Sequence, residues 1–395
     1  MMDYRFAERM GDISGNAIRE IFKLLGDPEM ISFAGGMPSA ESFACEDLAQ
    51  IANELLREKG RTILQYGATE GYYPLKEALV PFLEDKGVSA APQDMLIITG
   101  SQQGIDLTLK AFIDPGDVVL VERPTYLAVL HILKTYQARA VGVNLQADGV
   151  DLNELEDKMR KHRPKLLYLV PTFQNPTGRT TSLKKRKAIG ELAEKYSVAV
   201  FEDDPYRDLR YAGEPLPALY GLGNPENMIY STSVSKLISP GLRVGVVVSP
   251  PEILRKQIIG KQATDVHTAI LNQAMVAEFL KRGLLAQRLP AAIGQYRARL
   301  DTMLEAMREH FPQDAYYTVP QGGLFIWVEL PGKIDTTKIF PRVVDAKVAY
   351  VPGEHFYCDG TGQNTLRLNF SASSPERIRR GIQALGEALN DILGG

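Results

Sequence analysis

Tyr230-Ser-Thr-Ser-Val-Ser-Lys236-Leu-Ile-Ser-Pro-Gly-Leu-Arg243-Val-Gly245 contains a lysine with no local counter-ion. No Asp or Glu lies between Ser231 and Val248, so the Lys236 amine has no salt-bridge partner in its own segment. Arg243 follows between Gly241 and Gly245, whose small size lets a bulky anion approach the guanidinium. A lone Ser-x-Ser-Lys also reads as a strand-to-strand turn with a surface lysine. The arginine and glycines that follow favour chemistry: an amine flanked by Ser233 and Ser235, beside an anion site, suits a phosphorylated carbonyl compound held as a Schiff base. Pyridoxal 5'-phosphate is the common cofactor of that description.

Upstream, from about residue 92 to 250, short apolar runs alternate with helical patterns. The runs are Met95–Ile98, Val118–Val121, Leu166–Val170, Val198–Phe201 and Met228–Tyr230; helical stretches lie near 102–112, 126–136, 151–161 and 182–196. Such alternation predicts an α/β fold with a largely parallel sheet covered by helices on both faces. Ligands of such sheets gather outside the carboxyl ends of the strands. Each run is followed there by a group with chemical use: Gly100-Ser101-Gln102, Pro124-Thr-Tyr126, Asn175-Pro-Thr-Gly178, Glu202-Asp203-Asp204-Pro-Tyr206, and Lys236 itself. Ser101 and Gln102 open a helix whose amides suit a phosphate, although Ser101 also reads as an N-cap. Tyr126 offers a ring to stack on a pyridine.

Around this core, residues 1–45 read as an arm with an amphipathic helix near 16–25, then the sharp Phe33-Ala-Gly-Gly36 turn. A helix from about 45 to 59 leads to Tyr66, which by itself reads as a packed aromatic. Residues 252–285 read as helical. Beyond about 290 a long helix (291–310), strands at 323–330, 348–351 and 366–370, and a closing helix at 375–393 suggest a small α+β unit completed by the N-terminal segment. The predicted organisation is 1–45 as part of the small domain, 46–289 as the large cofactor-binding domain and 290–395 as the C-terminal small domain.

Bulk properties exclude several classes. The 395 residues carry 45 basic and 48 acidic side chains, a net charge of −3, so no basic footprint points to nucleic acid or an anionic membrane. Only Cys45 and Cys358 occur, which excludes a disulfide framework and fits a reducing, cytoplasmic setting. The five histidines lack metal-ligand spacing, so no structural metal is expected. No apolar run is long enough to span a bilayer.

Taken end to end, the order Ser101, Tyr126, Asn175, Asp203, Tyr206, Lys236, Arg243 resembles the class I and II aminotransferases, fold type I of the pyridoxal phosphate enzymes. The resemblance implies that Lys236 carries the cofactor and moves the proton, that Asp203 faces the ring nitrogen with Asp204 as its rival, and that Tyr206 and Asn175 bond the phenolate oxygen. It implies a phosphate site of Ser101, Gln102, Ser233, Ser235 and Arg243, with Tyr66 supplied by the partner of a homodimer whose sites are shared. Arg367, in Leu-Arg-Leu-Asn-Phe, matches the family's arginine for the substrate α-carboxylate; by itself it also reads as a surface arginine on an edge strand. A lysine at its ordinary value of about 10.4 is a poor base at neutral pH, so the ring cation and Arg243 are expected to depress it.

Asn16-Ala-Ile-Arg19-Glu20 together with Phe33-Ala-Gly-Gly36 resembles the α-aminoadipate and kynurenine aminotransferase subgroup. There Arg19 would meet a distal carboxylate, and Gly36 would lie against the substrate; Asn16 departs from the serine of the aminoadipate enzymes. The expected function is transfer of an amino group between an L-amino acid and 2-oxoglutarate. A β-lyase or decarboxylase on the same fold is the enzymatic alternative, and an amino-acid-sensing regulatory module the alternative of another class.

Overall fold

In this computed structural model, residues 4–10, 27 and 29–394 are described. Among the described residues nine strands precede residue 250: β1 (Ile31–Ser32), β2 (Met95–Ile98), β3 (Val118–Arg123), β4 (Arg139–Gln146), β5 (Gly149–Val150), β6 (Leu166–Leu169), β7 (Ala199–Asp203), β8 (Met228–Ser233) and β9 (Gly245–Val248). Five follow: β10 (Tyr316–Tyr317), β11 (Phe325–Glu329), β12 (Val348–Ala349), β13 (Val351–Pro352) and β14 (Thr365–Asn369).

Strands β2 to β9 form one eight-stranded sheet in the order β2-β9-β8-β7-β6-β3-β4-β5. The run β8-β7-β6-β3-β4 is parallel, while β9 lies antiparallel between β8 and β2. Because side chains alternate across a strand, each apolar run feeds two cores. Leu96, Ile98, Val119, Val121, Tyr168 and Phe201 face one way, with the helices Ser101–Phe112 and Leu127–Thr135. Met95, Ile97, Leu120, Leu167 and Val200 face the other, where Tyr73–Glu84, Leu152–His162, Leu183–Tyr196 and Ile270–Lys281 pack. A sheet covered on both faces needs strands that are apolar throughout, which is why they read as continuous runs.

All five predicted runs are strands of this sheet, but three of its members escaped sequence reading. β4 is an outer strand with exposed Arg139, Asn144 and Gln146, so it carries no continuous apolar signal; β5 has only two residues; and β9, of four residues, starts at Gly245, the last residue of the Lys236 motif. The stretch 252–285 divides into Pro251–Gln262 and Ile270–Lys281, and the long helix starts at Leu284 rather than 291, running through Pro290. The single strand expected at 348–351 is two: β12 pairs parallel with β1, and β13 joins β14. The amphipathic helix expected near 16–25 lies outside the described residues.

The second sheet runs β10-β11-β14-β13. β14 is therefore an interior strand, with Arg367 in register between Trp327 and Val351. The edge-strand reading of Arg367 does not hold: the residue is only 2% exposed.

Candidate active site

β8 runs directly into a single 3₁₀ turn, Val234–Lys236, whose start is fixed by Ser233: its Oγ accepts from the Ser235 N–H at 3.1 Å and lies 2.7 Å from the Ser235 Oγ. The turn delivers the Lys236 amine to the carboxyl edge of the sheet, where Nζ donates to the Gly36 carbonyl at 2.8 Å. Burial, followed by the nearby charges of Arg243 and Arg367, pushes the amine down to about 8, against a smaller opposing pull from Asp203. A substantial fraction is therefore neutral near physiological pH and can act as nucleophile or base.

Asp203 ends β7, one strand away. Its Oδ2 accepts from the Tyr168 hydroxyl at 2.8 Å, while its Oδ1 is buried without a partner among the described residues. Burial raises the carboxyl to about 7, with the Tyr168 bond opposing and Asp204 adding to the rise. Asp204 turns away from the cavity: it pairs with Arg207, accepts from the Tyr230 hydroxyl at 3.0 Å, and its carbonyl accepts from Thr232. Successive residues of a strand point to opposite faces, which separates the two acids.

At the end of β2, Gly100 has φ 82°, and a Cβ there would come within 2.4 Å of the Arg243 guanidinium. This glycine is what allows the arginine to lie over the start of the helix Ser101–Phe112. The helix has no side-chain N-cap: Gly100 holds that position and Ser101 is the first helical residue, with its Oγ buried and unpartnered. The N-cap reading of Ser101 falls accordingly. Among the described residues Arg243 meets only carbonyls, Thr99 O at 2.9 Å and Pro240 O at 3.4 Å. Unsatisfied first-turn amides, a free hydroxyl and a guanidinium without a carboxylate together make an anion site.

Arg367 reaches the same region from β14. Its Nη1 donates to Asn175 Oδ1 at 2.8 Å and its Nη2 to Ala34 O at 2.7 Å, while Nε is buried without a partner. Phe325 and Phe356 lie 4.3 and 5.0 Å from the guanidinium carbon, so aromatic faces take the place of a counter-ion. Among the described residues no carboxylate pairs with it, and burial lowers its pKa to about 10, still charged at neutral pH. Asn175 Nδ2 in turn lies 3.5 Å from the Tyr206 hydroxyl, and the Tyr206 ring meets Phe325 edge-on.

Ser101, Gln102, Tyr126, Asn175, Asp203, Tyr206, Ser233, Ser235, Lys236 and Arg243 all line one cavity of about 160 Å³. Gly36 closes on it through the Lys236 bond, and a Cβ there would press on Phe325 at 3.3 Å. Tyr66 does not line it: the side chain is 82% exposed and stands edge-on to His267. Arg19 lies outside the described residues. Sequence reading missed Val170, which also lines the cavity, and Tyr168. The signal for Tyr168 was available, since a tyrosine in a buried aliphatic run must find a partner for its hydroxyl.

The unpartnered polar atoms fit pyridoxal phosphate: a carboxylate oxygen for a ring nitrogen, an anion cradle, and a depressed lysine between them. The family description "aminotransferase class I and II" matches residues 28–385. This chain belongs to that family. It is 40% identical to 2-aminoadipate transaminase of Thermus thermophilus over 98% of this chain and 97% of the relative. It is 37% identical to aromatic-amino-acid aminotransferase 1 of Thermococcus litoralis, covering 99% and 95%. The solved kynurenine aminotransferase of Pyrococcus horikoshii, in complex with PMP, superposes with a TM-score of 0.94 at 39% identity over 98% and 97% of the two chains. The protein is a pyridoxal phosphate-dependent aminotransferase of fold type I, acting on small amino and keto acids. Among the described residues no helix is long and apolar enough to cross a membrane.

Proposed function

We propose that this aminotransferase moves an amino group between an L-amino acid and 2-oxoglutarate, with Lys236 as the cofactor-bearing residue and proton carrier. The observation that carries this reading is the unpartnered Asp203 Oδ1 in the cavity that also holds the depressed Lys236 amine. When bound, the pyridoxal ring supplies an electron sink for the carbanion formed at the substrate Cα.

The chain's own groups supply the rest. Tyr168 holds Asp203 Oδ2, so Oδ1 would be left to receive the ring N–H, and Tyr126 would stack on the ring. Asn175 Nδ2 and the Tyr206 hydroxyl would bond the phenolate oxygen. Arg243, Ser101, Gln102, Ser233, Ser235 and the helix amides would hold the phosphate. Arg367, held by Asn175 and the Ala34 carbonyl, would bind the α-carboxylate by two parallel bonds. Lys236 would carry the cofactor, and its amine, partly neutral near physiological pH, would hold and move the substrate Cα proton.

Tyr66, exposed and outside its own chain's cavity, suits a role at the site of a second copy, and we propose a homodimer with shared sites. We propose 46–289 as the cofactor-binding unit and 290–395 with 1–45 as the smaller one. Two free cysteines fit the cytoplasm. The relatives' names span acidic and aromatic donors, so the second substrate is best found directly. Purified protein incubated with 2-oxoglutarate and a panel of acidic, aromatic and branched amino acids should form glutamate. If Arg19 reads a distal carboxylate, Arg19→Ala should impair the acidic donors selectively. No glutamate from any donor would remove 2-oxoglutarate as the acceptor.

A further inference from the structure

Glu122, the penultimate residue of β3, is a carboxyl with 1% exposure and no part in the chemistry above. Among the described residues no cation pairs with it. Its Oε2 accepts two bonds, from the Val170 N–H at 3.0 Å and from Gln174 Nε2 at 3.2 Å. The Gln174 amide cannot turn over, because its Oε1 accepts from the Thr177 N–H at 2.9 Å and the Thr177 hydroxyl at 2.7 Å. Gln174 Nε2 also donates to the Pro124 carbonyl at 2.9 Å.

The result is a clasp between the carboxyl ends of β3 and β6. One arm is Pro124, two residues before Tyr126, and the other is Gln174, adjacent to Asn175. Without an acceptor at Glu122, the Val170 N–H and one Gln174 N–H would be buried unmet, and the two loops would be left joined by the Gln174–Pro124 bond alone.

We propose that Glu122 is a positioning residue for the cofactor, acting through Gln174 to hold Tyr126 and Asn175 at the cavity. The inference rests on the reading that these two side chains meet the bound ring. Burial lifts the Glu122 carboxyl to about 8, so near neutral pH it is mostly the uncharged acid. Its Oε1 is buried with no partner among the described residues, and there both the acid hydroxyl and a glutamine NH2 would sit; glutamine is thus the closest neutral mimic of that form, its amide oxygen taking both bonds.

The test compares Glu122→Ala, Gln174→Ala and Glu122→Gln as holoenzymes. Asn175 donates to a phenolate oxygen that is most negative when the lysine-bound cofactor has lost its imine proton. Weakening that bond makes the proton harder to remove, so the pH midpoint of the visible absorption should rise. We expect a rise of about half a pH unit or more in Glu122→Ala and Gln174→Ala, with restoration in Glu122→Gln to within about 0.2. Hydrogen exchange in the apoprotein gives a second readout: the Val170 amide should exchange faster in Glu122→Ala and the Thr177 amide faster in Gln174→Ala. Gln174→Ala keeps the question answerable should Glu122→Ala not fold. The proposal is overturned if a folded clasp variant keeps the wild-type midpoint, or if Glu122→Gln shifts as far as Glu122→Ala. A wild-type protein without a lysine-bound visible band would overturn the parent reading, and this inference with it.

Discussion

Replacing Asp203 by asparagine removes a charge but leaves an oxygen to receive the Tyr168 hydroxyl. Burial lifts this carboxyl from 3.8 to about 7, so at about 1.36 kcal/mol per tenfold change the site disfavours the ionised form by about 4 kcal/mol relative to water. A cation at the ring nitrogen has to return an energy of that order to bring Asp203 back to the value of a solvated carboxylate. That energy sets the scale of the coupling between the acid and the ring proton. A neutral amide supplies none of the charge, so Asp203→Asn should lose about 3–4 kcal/mol of transition-state stabilisation, roughly 10²- to 10³-fold in rate. The phosphate contacts lie elsewhere in the cavity, so cofactor content should stay close to that of the wild type. Single-turnover stopped flow with saturating amino acid, following loss of the visible band, isolates the chemical step. Asp204→Asn is the control: it breaks a buried pair with Arg207 and should lower thermal stability more than the single-turnover rate. An Asp203→Asn enzyme within about five-fold of wild type, alongside a chemically dead but stable Asp204→Asn, would refute the assignment.

The Lys236 amine, lowered to about 8 by burial and by Arg243 and Arg367, gains its neutral form as pH rises; capture of pyridoxal by the apoprotein should speed up with a midpoint near 8, and a midpoint near 10.5 would contradict it. Removing the fork of Arg367 by Arg367→Ala should cut kcat/KM about 10²- to 10³-fold for acidic and neutral amino acids alike, since the α-carboxylate is common to all; losses confined to one class would assign it another role. A hybrid of one Tyr66→Phe subunit with one Lys236→Ala subunit distinguishes sharing from isolation. If Tyr66 serves the partner, one of the two sites is entirely wild type and keeps normal cofactor affinity; if it acts within its own chain, no site is intact.

Much of the cavity was legible before any folding was considered, because its parts are local. A strand end followed by a polar residue places that residue at the carboxyl edge of the sheet, and five such ends were readable as apolar runs. The Lys236 turn carries its own serines, its glycines and its arginine within sixteen residues. Ser101 was harder: only the conformation of Gly100 shows that the glycine, not the serine, occupies the cap, leaving the hydroxyl for a ligand.

What lay beyond sequence depended on which distant segments meet. Arg367 reads as an edge arginine until β14 pairs on both sides, after which its burial and its aromatic neighbours make it a charge awaiting a carboxylate. Tyr168 and Asp203 are 35 positions apart, yet β6 and β7 pair in parallel register so that one supports the other diagonally. The Glu122 clasp unites two loops by hydrogen bonds that leave no periodic trace in the residues. By itself the sequence determined the strand ends and the chemistry each could offer, since both follow from nearest neighbours along the chain. The burial that moves Lys236 and Asp203 toward neutrality was decided only by tertiary structure, because desolvation and charge proximity are properties of the space around a group.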